Sequence, residues 1–266
     1  MTDPYGTGTH ASIAVRSLSA GYGEHTVLAG LDLSVRAAAV TAVIGPNGSG
    51  KSTLLKCLAR QLKRKDGDII IGGKSIDEYT PPALAREVTY LQQITATPTI
   101  TAERLVLHGR FPYTGFPRRY SSDDLRLAES AMRRVGILEL RSKPLQELSG
   151  GEIRRVWLAM ALAQDTGILL LDEPVTHLDI RYAHELLRLI RELCDEGKSI
   201  VTVLHDINSA LSVADFICVL DGGSVAFYGT PAELLETEVI EAVFGLKPVC
   251  VRTDTGAYLV FPFSSV

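Results

Sequence analysis

Short apolar runs, each bounded by polar residues or glycine, recur along the chain and predict buried β-strands. The runs that predict a central sheet are residues 40–44, 68–71, 88–91, 168–171, 200–204 and 216–220. Helical patterns, such as the one at residues 183–193, lie between several of these runs. Strands that alternate with helices predict an α/β fold with a mostly parallel central sheet covered on both faces.

The first part of the chain has a different pattern. Residues 13–18 and 31–35 are apolar segments, and a Gly-Tyr-Gly turn at residues 21–23 separates them. This pattern predicts antiparallel strands that lead into the central sheet. The fold class expected from the sequence is therefore a phosphate-loop type α/β domain with an N-terminal antiparallel β-subdomain.

The pattern changes again between the predicted strands. Residues 94–164 begin with threonine and proline, continue with aromatic residues, and end in amphipathic helices, which predicts a helical insertion subdomain. The core lobe would then comprise residues 12–93 and 165–230. Residues 231–266 predict two helices and a final hairpin. We expect these parts to form one domain over residues 1–266.

Composition and charge exclude several classes of protein. The 266 residues are 46% hydrophobic and 22% charged, with a net charge of -4, which argues against nucleic acid as the main partner. The four cysteines are widely spaced, as expected for buried thiols in a reducing compartment. The longest apolar run, residues 156–163, is too short to cross a bilayer, and residues 1–12 lack the pattern of a signal peptide.

A glycine-rich segment joins the predicted strand at residues 40–44 to a predicted helix. Its residues are Gly45, Pro46, Asn47, Gly48, Ser49, Gly50, Lys51, Ser52 and Thr53. The spacing G-x-x-x-x-G-K-[ST] lets backbone N–H groups turn toward the phosphates of a nucleoside triphosphate. Lys51 would supply a positive charge near the β- and γ-phosphates, and the Ser52 hydroxyl would bind Mg²⁺.

Two acidic residues follow a later buried strand. Residues 168–171 are apolar and are followed by Asp172 and Glu173. Such a strand delivers its carboxylates to the edge of the sheet where ligands bind, beside the phosphates. Asp172 would hold Mg²⁺, and Glu173 would polarise the attacking water. By itself, the pair could equally be a solvated strand end.

A second glycine-containing segment precedes a helix predicted over residues 153–163. Ser149, Gly150 and Gly151 could bind an anion at the N-terminus of this helix. Taken alone, they are better explained as a helix N-cap followed by flexible glycine. Residues 148–152, however, match four of the five positions of the LSGGQ signature, and the chain resembles the ATP-binding-cassette ATPases over essentially its whole length.

The resemblance implies a site shared by two copies. In that family two chains pair head to tail, and the signature of one chain completes the ATP site on the phosphate loop of the other. Tyr22 matches the aromatic residue that stacks on adenine, and Asp179 lies in the loop that crosses the dimer interface. His205 matches the switch histidine that contacts the γ-phosphate. Gln93 matches the glutamine that contacts Mg²⁺. Gln92 directly precedes it, but the spacing from the strand predicted at residues 88–91 favours Gln93.

The chain also departs from the common family pattern at two places. Glu152 stands where the signature has glutamine, which adds a negative charge and is expected to modulate activity without abolishing it. Residues 37–39 are alanines, where the family has a glycine and an acidic residue before the phosphate-loop strand. We expect this second difference to alter only a surface turn.

Within the family, the resemblance is to the ATPase subunits of importers for ferric siderophores, haem or cobalamin. It is carried by residues 109–113, 176–180 and 203–208. It implies a peripheral protein on the cytoplasmic face of the membrane, an integral-membrane permease whose coupling helix docks on the helical subdomain, and an extracytoplasmic substrate-binding protein. The alternative of another class is a nucleotide-gated scaffold or a non-transport member of the family.

Overall fold

The computed structural model describes residues 11–92, 97–115, 117, 119–176, 178–245, 247, 249–253 and 256–260. The chain divides into two compact units, one formed by Met1–Glu78 with Leu171–Val266 and the other by Tyr79–Leu170. The second unit extends beyond the predicted helical subdomain at residues 94–164. It takes in a complete strand at its start and most of another at its end.

The strands follow one another in this order. They are β1 (Ala11–Tyr22), β2 (His25–Arg36), β3 (Val40–Ile44), β4 (Asp66–Ile71), β5 (Lys74–Ser75), β6 (Val88–Leu91), β7 (Ile168–Asp172), β8 (Ser199–Val203), β9 (Phe216–Asp221), β10 (Ser224–Gly229), β11 (Val249–Thr253) and β12 (Gly256–Val260). All six runs predicted for the central sheet are strands, but the run at residues 68–71 belongs to β4 in the N-terminal sheet.

The helices complete the order. They are α1 (Lys51–Leu58), α2 (Pro81–Glu87), α3 (Ala102–His108), α4 (Ser122–Arg134), α5 (Gly150–Ala163), α6 (Ile180–Asp195), α7 (Ile207–Val213), α8 (Pro231–Leu235) and α9 (Val239–Phe244). Several begin before the residue that the apolar pattern predicts, because a polar cap or glycine starts the helix. Helix α6, for example, begins three residues before residue 183, where the Asp179 carboxylate accepts a hydrogen bond from the Tyr182 N–H.

The first unit contains the antiparallel sheet predicted near the start of the chain. Its strand order is β2-β1-β4-β5. The turn between β1 and β2 is Gly23-Glu24, two residues later than the pattern predicts, and Gly23 adopts a φ of 54°. A two-residue turn with positive φ matches the right-handed twist of the two strands, and glycine adopts it without strain.

In the central sheet, the strands that belong entirely to the first unit have the order β10-β9-β3-β8. Strand β3 pairs in parallel with both β8 and β9, while β10 adds an antiparallel edge. All residues of β3 and β8 are buried, and helices α6 and α7 pack against β3. Continuous apolar runs are expected for strands of this kind, and the parallel core of the sheet is confirmed.

The second unit is mainly helical. Helices α3, α4 and α5 pack against one another around an apolar core that includes Val106, Met132 and Val156, and β6 lies beside β7. A buried ion pair joins Arg110 to Asp124 at 2.8 Å. Since Arg110 also donates to the Ala163 carbonyl oxygen at 2.9 Å, it ties the end of α3 to α4 and α5.

The C-terminal part contains helices α8 and α9, and β11 and β12 pair as an antiparallel hairpin. Across the described residues, no helix combines the length and the apolar character that a membrane span requires.

Candidate functional site

The phosphate loop lies between β3 and α1, as the sequence predicts. Gly45, Gly48 and Gly50 adopt positive φ angles of 152°, 82° and 104°, a region that L side chains rarely occupy. At Gly45 there is also no room for a side chain, because a Cβ atom would lie 2.1 Å from the Leu220 carbonyl oxygen. Glycine is therefore required at these positions by the conformation of the loop itself.

Lys51 is the first residue of α1 and lies folded back along the loop. Its ammonium nitrogen donates hydrogen bonds to the carbonyl oxygens of Gly45 and Pro46, each at 2.8 Å. Burial lowers the pKa of Lys51 below its ordinary value, and the carboxylates of Glu173 and Asp172 oppose part of that shift. The lysine is thus held beside two carboxylates at the mouth of the loop, where a phosphate charge would be neutralised.

Ser52 and Asp172 form the next part of the site. The Ser52 hydroxyl donates to the Asp172 carboxylate at 3.0 Å, and Asp172 is buried at the end of β7. Mg²⁺ prefers oxygen ligands and is commonly bound by one or two carboxylates together with phosphate oxygens. A hydroxyl and a carboxylate at this spacing beside a phosphate loop fit that requirement.

Glu173 and His205 are in direct contact. The His205 Nε2 atom lies 2.6 Å from Glu173 Oε1, and the Thr176 hydroxyl donates to Glu173 Oε2 at 3.4 Å. Glu173 has a φ of 53°, which is uncommon for a residue other than glycine and costs about 1–3 kcal/mol. Backbone strain of this kind is frequent at functional sites because the surrounding structure holds the residue in place.

Lys51, Ser52, Glu173 and His205 share a cavity of about 350 Å³ in the first unit, and Asp172 lies outside its lining. Its lining residues are His25, Val27, Asn47, Gly48, Gly50, Lys51, Ser52, Thr53, Glu173 and His205. Gly45, Pro46 and Ser49 lie outside this lining: the first two bind Lys51, and the N–H of Ser49 donates to the Pro46 carbonyl oxygen at 3.2 Å. The cavity thus brings together the loop, the candidate base and the histidine.

His25 and Val27 are cavity residues that the sequence reasoning did not identify. Both belong to β2, just after the turn that follows Tyr22, and they are two residues apart. Side chains two residues apart on a strand lie on the same face. The two residues could therefore have been identified from the sequence only by knowing which face of β2 lies against the phosphate loop. No motif in the sequence marks that face.

Of three other predicted site residues, two lie in the described part of the chain. Tyr22 ends β1 with 49% of its surface exposed, and the Lys56 ammonium lies 5.8 Å from its ring centroid. Asp179 caps helix α6, and the next residue, Ile180, is 81% exposed. Gln93 lies outside the described residues.

The signature segment begins α5 in the second unit. Ser149 is the N-cap, and Gly150 and Gly151 are the first two helical residues. Ser149 and Gly150 are exposed, and Cβ atoms built at both glycines would meet none of the described residues within 4 Å. Gly45 and Gly50 differ from these two, because each of them has a described neighbour close enough to exclude a side chain.

The parallel sheet, the glycine loop at a helix N-terminus and the carboxylates at the sheet edge define a phosphate-loop domain that binds and hydrolyses a nucleoside triphosphate. The more specific assignment follows from comparison with known proteins. The family model described as ABC transporter matches residues 28–176, and the chain belongs to this family. It is an ATPase of the ABC type.

Three curated relatives are similar over most of their length. The achromobactin transport ATP-binding protein CbrD of Dickeya dadantii is 41% identical and is matched over 88% of each chain. The ferric enterobactin transport ATP-binding protein FepC of Escherichia coli is 38% identical over 96% of each chain. The iron(3+)-hydroxamate import ATP-binding protein FhuC of Bacillus subtilis is 35% identical, over 91% of this chain and 95% of FhuC.

Solved structures agree with the fold. A metal-chelate type ABC transporter in an inward-facing conformation matches with a TM-score of 0.82 at 22% identity, over 96% of this chain and 99% of that one. An ATP-binding cassette in its ADP conformation matches with a TM-score of 0.76 at 24% identity, over 89% of this chain and all of that one (100%). At these identities the likeness establishes the fold.

Proposed function

We propose that this chain is the ATP-hydrolysing subunit of an importer that takes up an iron–siderophore complex through a partner permease. The names of the relatives support the cargo class, since achromobactin, ferric enterobactin and iron(3+)-hydroxamate are all siderophore systems. The observation that carries the enzymatic part is the shared cavity, in which Lys51, Ser52, Glu173 and His205 line one volume.

The roles of the residues follow from their chemistry. Lys51 and the N–H groups of the loop bind the phosphates, and Ser52 with Asp172 would hold Mg²⁺. Mg²⁺ held there would neutralise part of the phosphate charge. Glu173 accepts a proton from the attacking water as general base, and His205 orients this carboxylate and contacts the γ-phosphate. Gln93 is proposed as a further contact to Mg²⁺, and Tyr22 as the adenine-stacking residue.

Two copies of the chain are proposed to close around ATP head to tail. Gly150 and Gly151 support this arrangement, because the described residues of their own chain do not require small side chains there. Glycines there would suit the phosphates of ATP bound to a second copy, since the absence of a Cβ atom lets the backbone N–H groups of a helix start approach an anion closely. Asp179 and the exposed Ile180 lie in the segment proposed to cross this interface.

The permease is proposed to dock on the second unit, at its aromatic segment. Phe111 is 36% exposed, stacks on His108 with ring centroids 4.4 Å apart, and stacks on Tyr120 at 6.0 Å. Exposed aromatic residues are enriched at protein interfaces, and stacking holds these rings in place before binding. The Arg110 guanidinium lies 3.9 Å from the Tyr113 ring centroid and so holds a further aromatic ring of the same segment in place.

The complete system would place this subunit on the cytoplasmic face of the membrane, with a substrate-binding protein on the opposite side. The test is reconstitution of the chain with its permease in lipid vesicles, followed by ATPase measurements with a loaded binding protein. Ferric siderophore should stimulate hydrolysis, while haem and cobalamin should not. Stimulation by haem or cobalamin would change the cargo, and hydrolysis that is indifferent to the permease would favour a non-transport ATPase.

A further inference from the structure

Glu152 contacts the serine of the signature directly. The Glu152 carboxylate oxygen Oε2 accepts hydrogen bonds from the Ser149 hydroxyl at 2.7 Å and from the Ser149 N–H at 2.8 Å. In return, the Glu152 N–H donates to Ser149 Oγ at 3.3 Å. The two residues form a complete capping box at the start of α5.

This geometry determines where the hydroxyl proton of Ser149 goes. Hydrogen bonds from the backbone and side chain of Ser149 hold the pKa of Glu152 below its ordinary value, and the positive charges of Arg155 and Lys143 lower it further. The carboxylate is therefore ionised near neutral pH and can only accept. A hydroxyl has one proton, so the Ser149 proton is donated to Glu152.

A phosphate oxygen also only accepts hydrogen bonds. If Ser149 is to donate to the γ-phosphate of ATP on a second copy, its hydroxyl must rotate away from Glu152. Hydrogen bonds to a carboxylate are about twice as strong as those between neutral groups, so breaking this one has a substantial cost. The remaining carboxylate would in addition repel the phosphate.

We propose that Glu152 is a positioning residue that holds the Ser149 hydroxyl away from phosphate and so weakens the ATP-bound dimer. This inference rests on the proposed head-to-tail site. A glutamine at residue 152 would remove the charge, and its amide could donate to Ser149 Oγ, which leaves the Ser149 proton available for phosphate. The Glu152→Gln protein should therefore close around ATP more readily.

The chain contains a matched control for this substitution. At the start of α8, Glu233 Oε2 accepts from the Thr230 N–H at 2.7 Å and from the Thr230 hydroxyl at 2.9 Å, while the Glu233 N–H donates to Thr230 Oγ1 at 3.3 Å. Glu233→Gln thus changes the same kind of capping box and the same net charge. It does so at a helix start that is not part of the signature segment.

The experiment uses the full-length chain carrying Glu173→Gln, which slows hydrolysis so that closed dimers accumulate. Dimerisation is followed by light scattering during titration with ATP and MgCl₂. Adding Glu152→Gln should lower the ATP concentration at half-maximal dimerisation by about five-fold, while Glu233→Gln should leave it unchanged. An unchanged or higher midpoint for Glu152→Gln overturns the role of Glu152 and leaves the proposed function standing.

A second outcome would overturn the proposed head-to-tail site as well as the role of Glu152. If the Glu173→Gln reference binds ATP but never dimerises, the head-to-tail site fails and the role of Glu152 fails with it. Ser149→Ala separates the hydroxyl from the charge: in that background, Glu152→Gln should shift the midpoint by less than half as much. An equal shift would mean that Glu152 acts only through its charge, which contradicts a positioning role.

Discussion

The phosphate loop and the signature segment both contain glycines at the start of a helix, yet the glycines of the two segments differ in backbone conformation and in the space around them. Loop glycines such as Gly45 and Gly50 have positive φ, and a Cβ atom on either would meet neighbouring atoms at 2.1 Å and 2.5 Å respectively. Gly150 and Gly151 are helical, and the described residues leave space around them. The first segment is constrained from within the chain, whereas nothing described in the chain constrains the second.

The hydrogen bonds of the two segments differ in the same way. In the phosphate loop, Lys51 and Ser52 are bound to the loop and to Asp172, so the charged groups lie around a cavity that exists in a single chain. In the signature segment, the hydrogen bonds described for Ser149 are local: its hydroxyl bonds to Glu152, and its carbonyl oxygen accepts from the Ile153 N–H. The groups proposed to bind phosphate and Mg²⁺ at the phosphate loop therefore lie together in a single chain. The signature segment is proposed to contact phosphate only when a second copy of the chain binds.

The largest expected effect is on the rate of ATP hydrolysis at the phosphate-loop site. Glu173→Gln should lower steady-state ATP hydrolysis by about 100- to 10,000-fold, because a positioned general base contributes that much. ATP binding should remain, and ATP-bound dimers should accumulate. Glu185→Gln, which removes a carboxylate from the surface ion pair with Arg181, is the control and should keep its activity. Normal turnover by Glu173→Gln would remove this residue from its proposed role.

Lys51→Ala should weaken ATP binding by about 10- to 100-fold, since a hydrogen bond to a charged group contributes about 1.5–3 kcal/mol. Fluorescent nucleotide titration of the purified chain measures this affinity. Lys63→Ala removes the same charge beyond the end of α1, at an exposed position, and should bind ATP normally. Equal affinities for both variants would contradict the role of Lys51.

A pair of alanine substitutions compares the two segments directly. Gly45→Ala should lower the free energy of unfolding by about 2 kcal/mol, because both its φ and its contact with Leu220 exclude a Cβ atom. Gly150→Ala should change it by less than about 0.5 kcal/mol. Urea unfolding measures both values.

The same pair should differ in function. Gly150→Ala should bind ATP as a monomer but fail to dimerise in the Glu173→Gln background, whereas Gly45→Ala should lose monomer binding. If Gly150→Ala dimerises normally, the contrast between an internally and an externally constrained segment is wrong.

The smallest expected effect is the pH dependence of the signature cap. Because the pKa of Glu152 is lowered in the folded chain, its capping contribution is complete above the unfolded pKa and is lost as pH falls through the folded pKa. NMR titration should find Glu152 ionising below an ordinary glutamate, and Ser149→Ala should raise its pKa. A Glu152 pKa that does not respond to Ser149→Ala would contradict the hydrogen-bonded cap.

Much of the candidate site could be predicted from local sequence. The phosphate loop, the two acids after a buried strand and the signature glycines are all contiguous motifs, and contiguous motifs encode local backbone geometry. The strands of the parallel core were predictable for a related reason, since burial on both faces leaves residues 40–44 and 200–204 apolar except for one threonine in each run. The sequence determined the chemical groups and the elements that carry them.

Only the tertiary structure decided which distant groups meet. The 2.6 Å contact between His205 and Glu173, the bond from Ser52 to Asp172 and the position of His25 in the cavity each depend on strand pairing across many residues. The positive φ of Glu173 likewise depends on its surroundings, because the residue type itself disfavours it. Local patterns specify backbone preferences, whereas register and packing, which arise from the whole core, determine distances between side chains.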